Sequence, residues 1–174
     1  AASDVYKRQT IYLYFKNKDD ILVQFFSYKT KQVFELFREE VNCGGNSIEK
    51  LKNLVRLHLG EFQRDRNVAI VYQAETHQIS RRAEIQIKEM SKMYLDIITE
   101  IVETGQNEGF IRKDLYLWLV KRFIVGAVDE VINTWLHSEG TYDLVSMADP
   151  LVDLFLNGIG SQRQVQSFEA EDGN

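Results

Sequence analysis

The sequence has few of the residues that break helices or cross-link chains. Only one of its 174 residues is proline and only one is cysteine. A single cysteine cannot form an internal disulfide, which excludes a disulfide-stabilised secreted scaffold. The scarcity of proline argues against many short strands joined by turns. The printed sequence shows neither a secretory signal nor an apolar run of membrane-spanning length. We therefore expect an all-α, cytoplasmic protein.

Charge is distributed unevenly along the chain, although the net charge is only −5. Residues 1–31 contain six lysine or arginine residues and three aspartates, so they carry +3 and the remainder carries −8. A basic end on an acidic body is typical of a DNA-contacting segment followed by a separate ligand or partner domain. Ordinary scatter of surface charge explains the pattern equally well when charge is considered alone.

Apolar residues recur at three- and four-residue steps, which predicts a series of amphipathic helices. The predicted helices run from Asn17 to Val41, from Ser47 to the charged "RDR", from Val68 to His77, from Arg82 to Thr104 with Gly105 and Gly109 closing it, from Leu115 to His137 with Asp114 as N-cap, and from Asp143 to Ile159. Pro150 either kinks the last helix or, with Asp149 as N-cap, marks a restart.

The last two predicted helices have more apolar surface than a single packing contact can bury. Two such helices from each of two chains could form a four-helix interface. We therefore predict a homodimer formed through residues 115–137 and 143–159.

The stretch "TIYLYFKNKDDIL", residues 10–22, combines strand-type residues with the start of a helix. Residues 10–15 are β-branched or aromatic, as in a strand, whereas Asn17 and Asp20 are a helix N-cap signal. The stretch resembles the recognition helix, the turn and the start of the following helix in TetR-family transcriptional regulators. The matching positions are Thr10, Ile11, Tyr12, Tyr14, Phe15, Lys18, Asp19 or Asp20, and Leu22.

The resemblance implies that residues 10–15 are helical. Ile11 and Phe15, at positions i and i+4, would pack into a small three-helix domain, where tertiary contact overrides strand propensity. It also implies that hydroxyl and cationic side chains position the recognition helix on DNA phosphates. The implied DNA-binding residues are Thr10, Tyr12, Tyr14, Lys16 and Lys18. As alternatives, the lysines are ordinary surface charges and the tyrosines are core aromatics.

The same resemblance implies the domain organisation. We expect an incomplete helix-turn-helix DNA-binding domain and the start of a linking helix in residues 1–31, a ligand-binding and dimerisation domain in residues 32–161, and a disordered tail in residues 162–174. Family members carry two further helices ahead of the motif, and residues 1–9 match nothing expected there. We therefore expect a truncated N-terminus, with residues 1–9 artefactual.

Within the family, "TIYLYFKNK", "VAIV" at residues 68–71 and "YDLV" at residues 142–145 are similar to the acyl-CoA-responsive regulators of fatty-acid metabolism in bacilli. This likeness implies a repressor of fatty-acid degradation genes that leaves its operator DNA when a long-chain acyl-CoA binds. Two alternatives stay open: a TetR-type repressor that senses another hydrophobic ligand or drug, and a ligand-sensing dimerisation fragment that does not bind DNA.

An acyl-CoA site requires an apolar tunnel between helices and a basic rim for the phosphates. The candidate tunnel residues are Phe62, Val71, Tyr72, Ile98, Ile101, Phe123 and Trp135, and the candidate rim residues are Arg81 and Arg82. Taken one at a time, an apolar helix residue is more often ordinary core and a paired arginine is more often ordinary surface.

The sequence contains no catalytic motif of the nucleophile-elbow, phosphate-binding-loop or ferritin-like type, so we do not expect an enzyme. His58, His77 and His137 share no helical turn and have no cysteine partner, so neither a metal site nor a cofactor is expected. Asp129 and Glu130 lie in an apolar segment. We expect them to form hydrogen bonds at the dimer interface or in a pocket wall, with ligand recognition as the less favoured role.

Overall fold

The structure is a computed structural model that describes residues 14–77 and 83–158. Every regular element in these ranges is helical, which confirms the predicted all-α class. The elements are α1 Lys18–Asn42, α2 Ser47–Arg64, α3 Arg66–His77, α4 Glu84–Glu108, α5 Leu117–His137, a 3-10 turn at Val145–Met147, and α6 Ala148–Asn157. None of these helices is long and apolar enough to cross a membrane. Residues 1–9 and the predicted tail at residues 162–174 lie outside the described ranges.

Helix α2 occupies the centre of the fold and contacts all five other helices. Its fully buried side chains are Leu51, Leu54, Val55 and Leu59, each at most 1% exposed. Their spacing of three, four and eight residues places them on one side of the helix. The remaining helices pack around this side and form one continuous hydrophobic core.

Helix α1 begins where the sequence predicts. The side chain of Asn17 accepts a hydrogen bond from the backbone N–H of Asp20 at 2.9 Å, and the Asp20 carboxylate accepts one from the backbone N–H of Lys16 at 2.9 Å. The first bond satisfies a backbone N–H that the first turn leaves without a helical partner, and the second attaches the residue before the N-cap to the helix. The helix then continues to Asn42, through the expected domain boundary at residue 31.

Helix α4 is longer than predicted, since it continues from Thr104 through Gly105 to Glu108. A single glycine inside a helix costs only about 1 kcal/mol relative to alanine, and packing around Gly105 offsets that cost. The helix ends at Gly109, whose φ of 83° is the left-handed conformation that glycine adopts without strain.

Four predicted helix starts differ from the structure. Helix α3 begins at Arg66 instead of Val68, and α4 begins at Glu84 instead of Arg82. Helix α5 begins at Leu117, because Asp114 binds the guanidinium of Arg112 instead of capping a helix. The last helix begins at Ala148 after a separate 3-10 turn, so the restart alternative is the correct one. Pro150 lies in its first turn, where a missing N–H breaks no helical hydrogen bond. Asp149 is not the N-cap and instead accepts two hydrogen bonds from Arg56 at 2.6 and 2.7 Å.

Candidate functional site

A cavity of about 280 Å³ lies between α1, α2, α3, α4 and α5. Most of its wall is apolar, and the aromatic rings of Phe34, Phe37 and Phe62 border it together with Met90 and Val125. A concave, mostly apolar space with a few polar groups is the usual form of a small-molecule binding site. Helix α6 contributes no side chain to the cavity.

Helix α1 supplies one wall of the cavity. Its six lining residues are Phe25, Phe26, Lys29, Val33, Phe34 and Phe37. They recur at intervals of three and four residues, which keeps them on one face of the helix over three turns. A ligand in the cavity would therefore touch the helix that directly follows residues 10–17, the segment predicted to contact DNA.

Polar side chains interrupt the apolar wall, among them Glu61, Thr76 and Ser91. Four others, one from each of α2, α3, α4 and α5, form what we call the polar quartet: His58, Tyr72, Tyr94 and Asp129. Nδ1 of His58 lies 2.8 Å from Oη of Tyr94, and the two rings meet edge to face with centroids 4.8 Å apart. Burial lowers the pKa of His58 to about 4, so the ring is neutral at neutral pH. Burial and the negative charge of Asp129 raise the pKa of Tyr72 and of Tyr94, so both hydroxyls keep their protons.

Two cationic side chains also border the cavity. Lys29 on α1 is half-buried and Arg122 on α5 is exposed. Within the described part of the chain, neither takes part in a salt bridge. Ammonium and guanidinium groups at the edge of an apolar cavity can bind phosphate groups of a ligand whose tail lies inside.

Two of the predicted tunnel residues, Phe62 and Tyr72, line the cavity. The other five do not: Val71, Ile98, Ile101, Phe123 and Trp135. Helix geometry explains the difference. On α5 the lining residues Arg122, Val125 and Asp129 follow one face, and Phe123 is rotated by about 100° from Arg122. Ile98 and Ile101 fill the core, at most 1% exposed.

Phe123 and Trp135 have other contacts. Phe123 is 59% exposed and meets Phe155 of α6 edge to face, with ring centroids 5.4 Å apart. The indole Nε1 of Trp135 donates a hydrogen bond to the carbonyl oxygen of Tyr142 at 3.0 Å, which fixes the turn after α5.

The remaining predicted site residues lie at the edges of the described ranges or outside them. Thr10, Tyr12, Arg81 and Arg82 are outside the residues that the structure describes. Tyr14, Lys16 and Lys18 are exposed, with Tyr14 at 78% exposure. Their side chains are therefore accessible, and their role in DNA binding stays a prediction.

Sequence reasoning missed Lys29 and Arg122, because no spacing rule connects cations on different helices. His58 and Tyr94 carried a usable signal, since each interrupts an apolar face at a position where a hydrophobic residue is expected. Asp129 borders the cavity, in accordance with one of the two locations expected for it. In the described ranges, no group of three histidine, cysteine, aspartate or glutamate residues could hold a metal ion.

Comparison with known proteins supplies the family. Residues 26–158 match the family model of the C-terminal region of YsiA-like proteins, a TetR-type C-terminal domain. The fatty acid metabolism regulator protein of Bacillus subtilis (strain 168) is 36% identical over 150 residues, which cover 86% of this chain and 77% of that protein. The chain belongs to the TetR family of transcriptional regulators. It is therefore a regulator and not an enzyme.

Solved structures of TetR-family regulators share the fold. FadR from Bacillus subtilis in complex with stearoyl-CoA has a TM-score of 0.79 and 36% identity, covering 87% of this chain and 82% of FadR. The fatty acid degradation regulator FadR from Bacillus halodurans has a TM-score of 0.81 and 33% identity, and the match covers 88% of this chain and 80% of the FadR chain. The helical body predicted from the TetR resemblance is thereby confirmed.

Proposed function

We propose that this TetR-family protein is a cytoplasmic repressor of fatty-acid degradation genes and that a long-chain acyl-CoA is its effector. The observation that carries the proposal is the apolar cavity, one wall of which is formed by six side chains of α1. The Bacillus subtilis relative that is 36% identical was solved with stearoyl-CoA, which supports the same ligand class here.

The cavity and its two cations suit the two ends of an acyl-CoA. The acyl chain gains about 25 cal/mol for each Å² of apolar surface that leaves water, and Phe34, Phe37 and Phe62 offer that surface. The phosphates of coenzyme A are anionic, and Lys29 and Arg122 can bind them. We infer that these two cations, on α1 and α5, belong to the basic rim, for which Arg81 and Arg82, outside the described residues, stay predicted members.

The repressor acts as a homodimer in this proposal. The apolar side chains that α5 and α6 leave exposed include Trp118 at 63%, Phe123 at 59% and Leu154 at 44%. A dimer formed through residues 115–137 and 143–159 would cover them. It would also place two recognition helices in successive major grooves, about 34 Å apart.

Release from DNA follows from the position of α1. A ligand that fills the cavity presses on Phe25, Phe26 and Lys29, which lie between the second and fourth turns of α1, near the DNA-binding end. The ligand therefore favours a different placement of α1, and the spacing of the two recognition helices no longer matches the DNA repeat.

The test is fluorescence anisotropy of the complete gene product with DNA from upstream of fatty-acid degradation genes. Saturating palmitoyl-CoA should weaken DNA binding by about 1 to 3 kcal/mol. Arg122→Ala should raise the ligand concentration required, whereas Lys121→Ala, the neighbouring cation that does not border the cavity, should leave it unchanged. No weakening by any acyl-CoA would reject this effector. Weakening by uncharged hydrophobic compounds alone would favour a sensor of other hydrophobic ligands.

A further inference from the structure

An alkyl chain forms no hydrogen bonds, so its binding does not require the polar quartet. Polar groups that face an apolar ligand lose hydrogen bonds to water without replacing them, which costs free energy. Yet α2, α3, α4 and α5 each contribute one member, namely His58, Tyr72, Tyr94 and Asp129. His58 contacts Tyr94, and the negative charge of Asp129 contributes to the raised pKa of both tyrosines.

The pair of His58 and Tyr94 retains one hydrogen-bond donor in either histidine tautomer. A neutral imidazole has one N–H and a phenol has one O–H, and a single hydrogen bond of 2.8 Å joins the two side chains. If the Tyr94 hydroxyl donates to Nδ1, the Nε2–H of His58 remains. If Nδ1–H donates to the phenol oxygen, the Tyr94 O–H remains. A ligand atom that accepts a hydrogen bond can therefore be satisfied here.

The charge near this donor favours an uncharged acceptor. Asp129 contributes a negative charge that both tyrosines experience, and it would repel a carboxylate of the ligand at short range. His58 itself adds no positive charge that would attract a carboxylate, because burial lowers its pKa to about 4 and keeps the ring neutral. A carbonyl or hydroxyl oxygen meets neither obstacle.

The geometry points to a hydrogen bond between the polar quartet and an uncharged oxygen of the acyl group, either the thioester carbonyl or a hydroxyl on the chain. This inference rests on the proposed acyl-CoA effector. The hydrogen bond would set how far the acyl chain enters the cavity, and hence which atoms press on α1. His58 and Tyr94 are then residues that determine ligand specificity, beyond the shape of the apolar wall.

The test compares three coenzyme A derivatives of equal chain length by isothermal titration calorimetry on the purified chain. They are palmitoyl-CoA, 3-hydroxypalmitoyl-CoA and S-hexadecyl-CoA, a thioether that lacks the carbonyl oxygen. We expect at least one oxygen-bearing ligand to bind about five- to tenfold more tightly than the thioether, the effect of one hydrogen bond. Tighter binding of palmitoyl-CoA assigns the carbonyl, and tighter binding of the hydroxyl derivative than of palmitoyl-CoA assigns the hydroxyl.

A double variant, His58→Phe with Tyr94→Phe, removes both possible donors while keeping aromatic side chains. In this variant, the oxygen-bearing ligand should bind less than about twofold more tightly than the thioether. Tyr28→Phe is the matched control, because the Tyr28 hydroxyl accepts a hydrogen bond from Gln32 on the exposed side of α1, away from the cavity. Circular dichroism establishes that each variant is folded. The comparison of the three ligands on the wild-type chain does not depend on the variants.

Each result has a distinct meaning. Equal binding of all three ligands to the wild-type chain would overturn the role of the quartet, as would a preference that persists in the folded double variant. Failure of all three ligands to bind would instead reject the acyl-CoA effector itself.

Discussion

At the scale of single residues, Gly105 permits a close contact between α4 and the segment after it. A Cβ atom here would lie 2.7 Å from Cδ1 and 2.9 Å from Cγ1 of Ile111, and 3.0 Å from Oγ of Ser47. Gly105→Ala gains up to about 1 kcal/mol of helix propensity but incurs about 1 to 3 kcal/mol of overpacking. We expect the free energy of unfolding to fall by about 1 kcal/mol in urea denaturation.

Gly60, inside α2, is the matched control for this prediction. A Cβ atom there would meet only Cγ2 of Val145, at an ordinary contact distance of 3.7 Å. Gly60→Ala should therefore raise the free energy of unfolding by up to about 1 kcal/mol. Equal effects of the two substitutions would show that the close contact at Gly105 has no energetic weight.

Because His58 is buried, we expect the free energy of unfolding to fall in mild acid. Its pKa is about 4 in the folded chain, because burial disfavours the charged ring, against 6.5 for an exposed histidine. The unfolded chain therefore binds a proton between these values that the folded chain does not. The stabilisation is complete above pH 6.5 and decreases as the pH falls toward 4. Between pH 7 and 5 the free energy of unfolding should fall by about 2 kcal/mol on account of His58.

The measurement is urea denaturation of the wild-type chain and of His58→Gln at several pH values. The difference between them isolates His58 from the carboxylates, including Glu108 and Asp114, whose lowered pKa values place their own contributions at more acidic pH. Parallel pH profiles for the two proteins would contradict the prediction.

At the scale of elements, the start of α2 depends on Asn46. Its side chain accepts a hydrogen bond from the backbone N–H of Glu49 at 2.9 Å, and Glu49 in turn accepts one from Gly45 at 2.7 Å. Loss of an N-cap side chain costs about 1 kcal/mol. Asn46→Ala should therefore lower the free energy of unfolding by that amount in thermal or urea denaturation, because α2 contacts every other helix.

Asn67→Ala provides the comparison for Asn46. Asn67 is exposed near the start of α3, and its side chain caps nothing in the described structure. Its replacement should change stability by less than about 0.5 kcal/mol. If Asn46→Ala were equally neutral, the N-cap would not stabilise α2.

Helix existence was predictable from the sequence because apolar spacing determines it, but several ends were not. Asn17 and the spacing after it predict the start of α1 correctly. The end of α4 was missed because tertiary packing at Gly105 offsets the weak local preference against glycine. The start of α5 was missed because Asp114 pairs with Arg112 instead of capping the helix. An ion pair between residues two apart does not change the apolar spacing from which helices are predicted.

At the scale of the whole molecule, the ligand class was easier to predict than the residues of the cavity. The family resemblance supplied the class, whereas the lining depends on which faces of five helices converge. Apolar residues that line the cavity and apolar residues that fill the core have the same spacing, so Phe62 and Ile98 cannot be distinguished in the sequence. Only the fold brings Lys29 and Arg122 to the same cavity.

The sequence suggested two roles for Phe123, as a residue of the ligand tunnel and as part of the dimer segment 115–137. A test of the dimer distinguishes between them. This ring is exposed on α5, as is Trp118, and lies outside the cavity. Phe123→Glu places a charge in the proposed interface, where burial without a partner is costly. Analytical ultracentrifugation should show a dimer for the wild-type chain and a monomer for the variant. Tyr28→Glu, an equally exposed aromatic on α1, should stay dimeric.

Ligand titration of the same variant completes the test. Because Phe123 does not line the cavity, monomeric Phe123→Glu should bind palmitoyl-CoA within about twofold of the wild-type affinity per chain, far less than the loss of a buried aromatic contact. A variant that remains dimeric but loses the ligand would reverse both assignments. It would place Phe123 in the ligand site, as the sequence suggested, and would leave the exposed faces of α5 and α6 without a role in dimerisation.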